Sequence, residues 1–344
     1  MKIGMVRARP EDDFMHPVED DVHFNESGYF NFGDPTTDLG GLLRVGNRPN
    51  DGYAEVTNCL FLPDGRVAFA YTRAPITHNK AHDAGGLRFE TVTPHREHRV
   101  CFDGPVLLLE RPAEMEDPRA AFRNNPQAPC TVDLTFRSVA DTYWPWIVVD
   151  AEDGEFDEGL HAMFARNHLN QHMAVTGTVT IDGETQTLAG GLGWRDRSWG
   201  PRSWQQVPWY RWSSVSLGPD LGLALIVFGD HEGGAHPRGY VHHGHGTEPR
   251  RIVDGRFESD YDDRFYARTV RLTVTTEDGD RLEFDGATRG ETIPLRFRNR
   301  ENPDIVTRVT EAMIRWTGAG RAGVGILEYL DLMRDGRPVG TAAG

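Results

Sequence analysis

The sequence predicts a mostly antiparallel β protein, built as two barrels or sandwiches. Asp–Gly dipeptides separate apolar or alternating runs, and helical periodicity is scarce. At 344 residues the chain is also longer than one typical small core takes. Asp–Gly suits a tight hairpin because both residues can adopt positive φ, which matches the twist of paired strands.

In chain order, CLFLPDGRVAFAY (59–71) predicts the first clear hairpin. EDPRAAFRNN (116–125) predicts one short helix. FDEGLHAMFARNHL (156–169) predicts a second, with Leu160, Met163 and Phe164 on one side. The acidic, Gly-containing AEDGEFDEG (151–159) marks the expected boundary, giving domains 1–155 and 156–344. VTGTVTIDGETQTL (175–188) predicts another hairpin, and SSVSLGPDLGLALIVFG one that turns at Gly218-Pro219-Asp220. In VRLTVTTEDGDRLEF, Val270, Leu272 and Val274 alternate with polar residues, the pattern of a half-buried ribbon. Thr310 to Trp316 and Val324 to Leu330 predict a final strand pair around TGAGRAG. The helices do not alternate regularly with strands, which excludes a doubly wound sheet.

Composition narrows the function classes. Hydrophobic content of 38% and charged content of 26% fit a soluble globular protein, and no run of about 18 apolar residues predicts a membrane span. The opening MKIGMVRARPEDDF lacks the apolar segment of a signal peptide. Cys59, Cys101 and Cys130 are far apart and form no CxxC, so a reducing cytoplasm with inert thiols is expected. With 37 basic against 52 acidic residues the net charge is −15, which repels phosphate backbones and argues against a nucleic-acid partner. There is no GxSxG, no GxxxxGK[ST], no HExxH and no strand-turn-helix GxGxxG, so hydrolase, kinase and dehydrogenase readings lack their usual support.

The densest chemistry lies in GGLGWRDRSWGPRSW (190–204). On a strand, Trp194, Asp196 and Ser198 share one face and Arg195 and Arg197 the other. Away from the arginines and against Trp194 in an apolar lumen, Asp196 is a candidate proton donor. The competing reading pairs Asp196 with Arg202 across a turn at Gly200-Pro201, bracing a corner. Trp194, Trp199, Trp204, Trp209 and Trp212 fall within nineteen residues and offer π faces to a developing cation, or simply pack the core. Tyr143, Trp144 and Trp146 in TYWPWIV are placed at the domain junction. Glu328 in GILEYL is a catalytic base or a partner of Arg202 or Arg315, and Glu55 a rim acid or the partner of Arg48. His243 and His245 in HHGHG would share a strand face as a metal pair requires, but no carboxylate or cysteine follows at a telling spacing. An exposed loop and no metal are expected there.

NHLNQHMAVTGTVTIDG, GGLGWRDRSWGPRSW and GVGILEYL together resemble the family around hydroxyneurosporene synthase, the carotenoid 1,2-hydratases. They also resemble AttH-like proteins, kievitone hydratase and uncharacterised actinobacterial relatives. NESGYFNFGD, GGLLRVGNRPNDGYAE and LFLPDGRVAF resemble the N-terminal domain of those relatives, so most of the chain is covered. The resemblance implies two lipocalin-like β-barrel domains packed together with an apolar small molecule held between or within them. A homodimer is a separate expectation about partners. It implies a cofactor-free hydratase, in which an acid protonates an alkene and water adds to the cation. Asp196 matches the acid and Trp194 an aromatic position, while His168 or His172 fills the histidine role. Asn170 stands where a second aromatic is expected, a departure from the pattern.

The expected function is therefore a cofactor-independent hydratase, lyase or isomerase. Its substrate would be a lipophilic terpenoid-, steroid- or polyketide-like molecule. Asp196, His168 and His172 would act in catalysis. Trp194, Trp199, Trp204, Trp209, Tyr143, Trp146 and Glu328 would contact substrate. The alternatives are a non-catalytic binder of apolar metabolites and a cyclase that templates a polyene.

Overall fold

The computed structural model describes residues 3–148, 167–299 and 302–342. Two compact units account for the chain. The first comprises Met1–Glu110, Asn124–Arg202 and Gly244–Gly246, and the second Arg111–Arg123, Ser203–His243 and Thr247–Gly344. The boundary expected at 151–159 lies outside the described residues, as does most of the second expected helix. Its last three residues, Asn167 to Leu169, belong instead to the strand Asn167–Ile181. The first expected helix is present as Pro118–Asn124.

Both units are antiparallel. In the first, the strand order runs Asn167–Ile181, Glu184–Pro201, Phe24–Asp34, Leu39–Arg48, Tyr53–Phe61, Val67–Pro75 and Glu97–Leu109. Gln127–Ser138 pairs with both the first and the last of these, closing eight strands into a ring. Its lumen is packed with Phe30, Phe32, Leu43, Val45, Val56, Phe136 and Met173, all at most 4% exposed. In the second unit, Val306–Gly318 pairs with both Arg281–Thr288 and Arg321–Arg334, closing a second eight-stranded barrel. Val270, Leu272, Val274 and Phe284, whose alternation was legible in the sequence, lie in its core with Trp316.

Turn chemistry follows the expected positions but not one geometry. Asp182 and Gly183 both have positive φ, 51° and 82°, and join Ile181 directly to Glu184. At Asp64-Gly65 and Asp278-Gly279 only the glycine is positive. There the Leu62 amide bonds to the Arg66 carbonyl and the Thr276 amide to the Asp280 carbonyl, so the loops are longer and need one left-handed residue instead of two. Gly200-Pro201 is not a turn: the strand continues through it, opposite Asn25 and Phe24.

Among the described residues no helix is long and apolar enough to cross a membrane. Among the described residues Cys59, Cys101 and Cys130 form no disulfide. Burial pushes the Cys130 thiol up to about 12, which keeps it protonated and unreactive.

Candidate functional site

The Glu184–Pro201 strand runs between Asn167–Ile181 and Phe24–Asp34, and cross-strand partners share a face. Gly193 permits the close approach on one side, since a Cβ there would lie 1.9 Å from the Asn31 carbonyl oxygen. The Asn31 side chain in turn accepts the Trp194 amide at 3.2 Å. Register then decides everything local. Arg195 sits opposite Phe30 and Gln171, on the lumen side, and Asp196 sits opposite Tyr29 and Asn170, on the other.

The lumen therefore takes the arginines, not the acid. Arg195 forms an ion pair with Asp13, donates to Gln171 Oε1 at 2.7 Å and contacts His95 Nδ1 at 2.8 Å. Burial raises the Asp13 carboxyl, but Arg195, His98 and His95 outweigh it and hold it below the usual carboxylate range. Arg197 donates to Glu26 Oε1 at 2.6 Å, and Asn79 donates to the other oxygen at 2.7 Å. Burial raises Glu26 too, yet the bond from His16 and the charge of Arg197 lower it to about 2. Trp199 shares this side and stacks on His16 with ring centroids 3.6 Å apart. These residues brace the first barrel; the apolar lumen expected beside Asp196 is filled by them and by the core.

On the opposite face, Asp196 accepts from His168 Nε2 through Oδ2 and contacts Asn170 Nδ2 at 3.4 Å. No arginine reaches it among the described residues, so the expected alternative of an Asp196–Arg202 brace is absent. The Asp196 side chain is 18% exposed and that of His168 3%. His172 lies one pair along and stacks on Trp194, centroids 5.0 Å apart and planes 23° apart. Of the two histidines left open by the sequence, His168 meets the acid and His172 meets the indole. Tyr29, Asn31 and Tyr143 are buried on the same face, Tyr143 through its pairing with Asn170. Tyr29 and Asn31 had no sequence signal beyond their place in NESGYFNFGD. The Trp144 and Trp146 side chains lie outside the described residues.

Glu55 is held in the first unit by Arg44 at 3.7 Å, Arg48 at 3.6 Å and Arg73 at 3.5 Å. It is a structural anion, as its Arg48 reading expected.

The second unit places the remaining expected residues. Trp204 stacks on Phe297, centroids 4.2 Å apart. Trp209 lines a cavity of about 990 Å³ with Arg211, Val227, Phe257, Ser259 and Tyr261 among others. Arg211 is neutralised there by Asp331, with both contacts at 3.1 Å. Glu328 does not pair with Arg202 or Arg315. It accepts from the Tyr210 hydroxyl and stands directly opposite Glu311. Glu311 went unnoticed in the sequence, although its alternation with Val309 and Met313 puts a carboxyl on an apolar stripe. His243, and His245 of the first unit's Gly244–Gly246, lie in an exposed loop after the Ala235–His242 strand. His243 contacts Arg250 at 2.7 Å and His245 the Ser138 carbonyl at 2.9 Å. Among the described residues no group of three or more His, Cys, Asp or Glu is arranged to hold a metal.

Comparison of the fold places the molecule among known structures. An AttH-type protein of Nitrosomonas europaea superposes with a TM-score of 0.59 at 15% identity, covering 92% of this chain and 98% of that one. CghA in complex with Sch210972 gives 0.57 at 14%, covering 96% and 98%. Kievitone hydratase of Nectria haematococca gives 0.57 at 11%, covering 94% and 93%. The resemblance read from the sequence thus holds at the level of the fold. No curated protein matches the sequence. Residues 9–333 match the family described as a domain of unknown function (DUF7064), and the chain belongs to that family.

Proposed function

We propose that the protein is a cofactor-independent hydratase or isomerase acting on an alkene of a lipophilic small molecule, with Asp196 and His168 as its acid–base pair. One observation carries the reading. Asp196, the carboxylate of the WRDR stretch, meets a histidine and, among the described residues, no arginine; it lies on a face with Trp194 and Tyr29, and its side chain is 18% exposed against 3% for His168. The fold-level likeness to a kievitone hydratase supports it as analogy.

A proton held between Asp196 Oδ2 and His168 Nε2 passes to one alkene carbon, whose π electrons form the new C–H bond. The adjacent carbon becomes cationic, and the π face of Trp194 stabilises it. For hydration, water adds its oxygen there and returns a proton to the pair. For isomerisation, the pair instead removes a proton from a neighbouring carbon. Asn170 and the stacked His172–Trp194 pair hold the site's geometry.

The test is incubation with terpenoid, steroid and polyketide alkenes in heavy-oxygen water, followed by mass spectrometry. Turnover incorporates the label, and Asp196→Asn lowers it on the order of 100-fold while ligand affinity stays nearly intact. Unchanged turnover in that variant overturns the acid assignment. The carrier alternative draws on the second-unit cavity of about 990 Å³ with Trp209 and Tyr261 in its wall. It gains ground if a ligand is recovered unaltered from purified protein.

A further inference from the structure

The second unit holds a pair of carboxyls that the proposed acid–base chemistry does not use. Glu311 and Glu328 are directly opposite on adjacent antiparallel strands. Trp212 lies opposite Glu328 on its other side, and Ile293 opposite Glu311. The row across four strands is therefore indole, carboxyl, carboxyl, isoleucine. Met313 and Ile326, 4% and 0% exposed, occupy the next pair along the same face. Opposed side chains in such a sheet have Cβ atoms about 5 Å apart, and two like charges there repel.

Every other buried carboxylate described above has a cation or histidine beside it: Asp13 has Arg195, Glu26 has Arg197, Glu55 has three arginines, Asp331 has Arg211. Glu311 and Glu328 have none among the described residues. Glu328, only partly buried, is oriented by the Tyr210 hydroxyl. Glu311 is 3% exposed, and its Oε2 is buried without a hydrogen-bond partner. Two carboxyls so placed cannot both be ionised, and they retain a proton between them. Burial, then the neighbouring Glu328, pushes Glu311 well above the usual carboxylate range.

We infer that the Glu311–Glu328 pair, with Glu328 oriented by Tyr210, forms a second binding site, one that takes a neutral apolar ligand by donating the proton the pair shares to its carbonyl oxygen. A carbonyl accepts without bringing a donor of its own, and the flanking Trp212, Ile326 and Met313 suit an apolar body. An anionic ligand is repelled by the charge that the pair keeps. A hydrated cation finds no polar shell around Glu311. The site is independent of the Asp196–His168 reading and uses none of its residues.

Progesterone, a neutral steroid enone whose ultraviolet absorption moves to longer wavelength when its carbonyl accepts a strong hydrogen bond, is the probe. Infrared spectra of the wild-type protein at neutral pH should show a protonated-carboxyl C=O band that Glu311→Gln removes. Titration of the full chain should give a red-shifted enone and quenched tryptophan fluorescence. Glu328→Gln should weaken binding on the order of 10-fold and shrink the red shift, because the amide that replaces the acid is a weaker donor to the carbonyl. Asp196→Asn should leave both unchanged. Absence of the infrared band in the wild-type protein overturns the inference whatever the variants do. So does failure of the enone to bind, or equal binding by Glu328→Gln. Displacement of the band's proton by calcium or an alkylamine would identify a cation site instead and also overturn it.

Discussion

On the lumen side of the Glu184–Pro201 strand, Arg195 and Arg197 are matched by Asp13 and Glu26; on its other side, Asp196 meets His168 and Asn170 and no arginine among the described residues. The two sides alternate residue by residue along one strand. They differ in what each charge meets. Within the barrel each cation is compensated by a carboxylate whose side chain is 0% exposed, an arrangement that fixes structure. Outside it, a partly exposed carboxylate and a histidine share a hydrogen bond, an arrangement that can move a proton. Proximity in sequence is thus no guide to shared partners: Asp196 meets a histidine and its two neighbouring arginines meet buried carboxylates.

The largest effect should come from breaking the lumen side. Arg195→Leu takes from buried Asp13 its arginine, leaving it His95 and His98, and should destabilise the protein by about 3–5 kcal/mol, read from the urea midpoint. A loss comparable to that of Asp196→Asn would erase the contrast. The same network makes stability acid-sensitive. Glu26 is depressed to about 2 from its ordinary 4.5, and His82 to about 3 from 6.5 by burial and the charge of Arg197. For both, the unfolded chain takes up its proton at a higher pH than the fold does. Their contribution is complete above the ordinary value and is lost as pH falls toward the folded one. Urea midpoints should decline first below pH 6.5, as His82 must stay neutral in the fold, and further from 4.5 toward 2 as Glu26 titrates. A flat profile across that range would contradict the lumen pairing.

Next in size is Gly193→Ala. Its Cβ would meet the Asn31 carbonyl at 1.9 Å, so the strand must shift, at about 1–3 kcal/mol. Because that shift moves both faces, turnover should fall as well, whereas Arg195→Leu in its remaining folded fraction should keep its chemistry. Asp196→Asn should change stability by no more than about 1 kcal/mol, since one hydrogen bond is weakened and no buried cation is orphaned. Unfolding on the scale of Arg195→Leu would make Asp196 a brace. Smallest of all, dialysis against a chelator should leave the melting temperature unchanged, because His243 and His245 contact Arg250 and Ser138 instead of sharing a strand face.

Much of the fold was legible. Asp182-Gly183 turns as a two-residue hairpin, and Val270, Leu272 and Val274 line a core, because both signals act between close neighbours in the chain. Of the candidate site, strand alternation correctly separated Asp196 and Trp194 from Arg195 and Arg197. It did not say which side was the lumen, and the apolar environment was assigned to the wrong one. Gly200-Pro201 looked like a turn because both residues favour one, yet pairing with Asn25 and Phe24 carries the strand through. Glu311 stayed hidden because its significance needs Glu328, seventeen positions later, to stand opposite it.

By itself the sequence determined where strands turn and which side chains alternate together, since backbone preference and a period of two are local properties. Only the tertiary structure decided which face became lumen, which charges met, and which were left without a cation. Those outcomes depend on ring closure, which brings Asp13 to Arg195 across 182 positions and Glu26 to Arg197 across 171. No local rule reaches that far, because a charge is defined energetically by its neighbours in space.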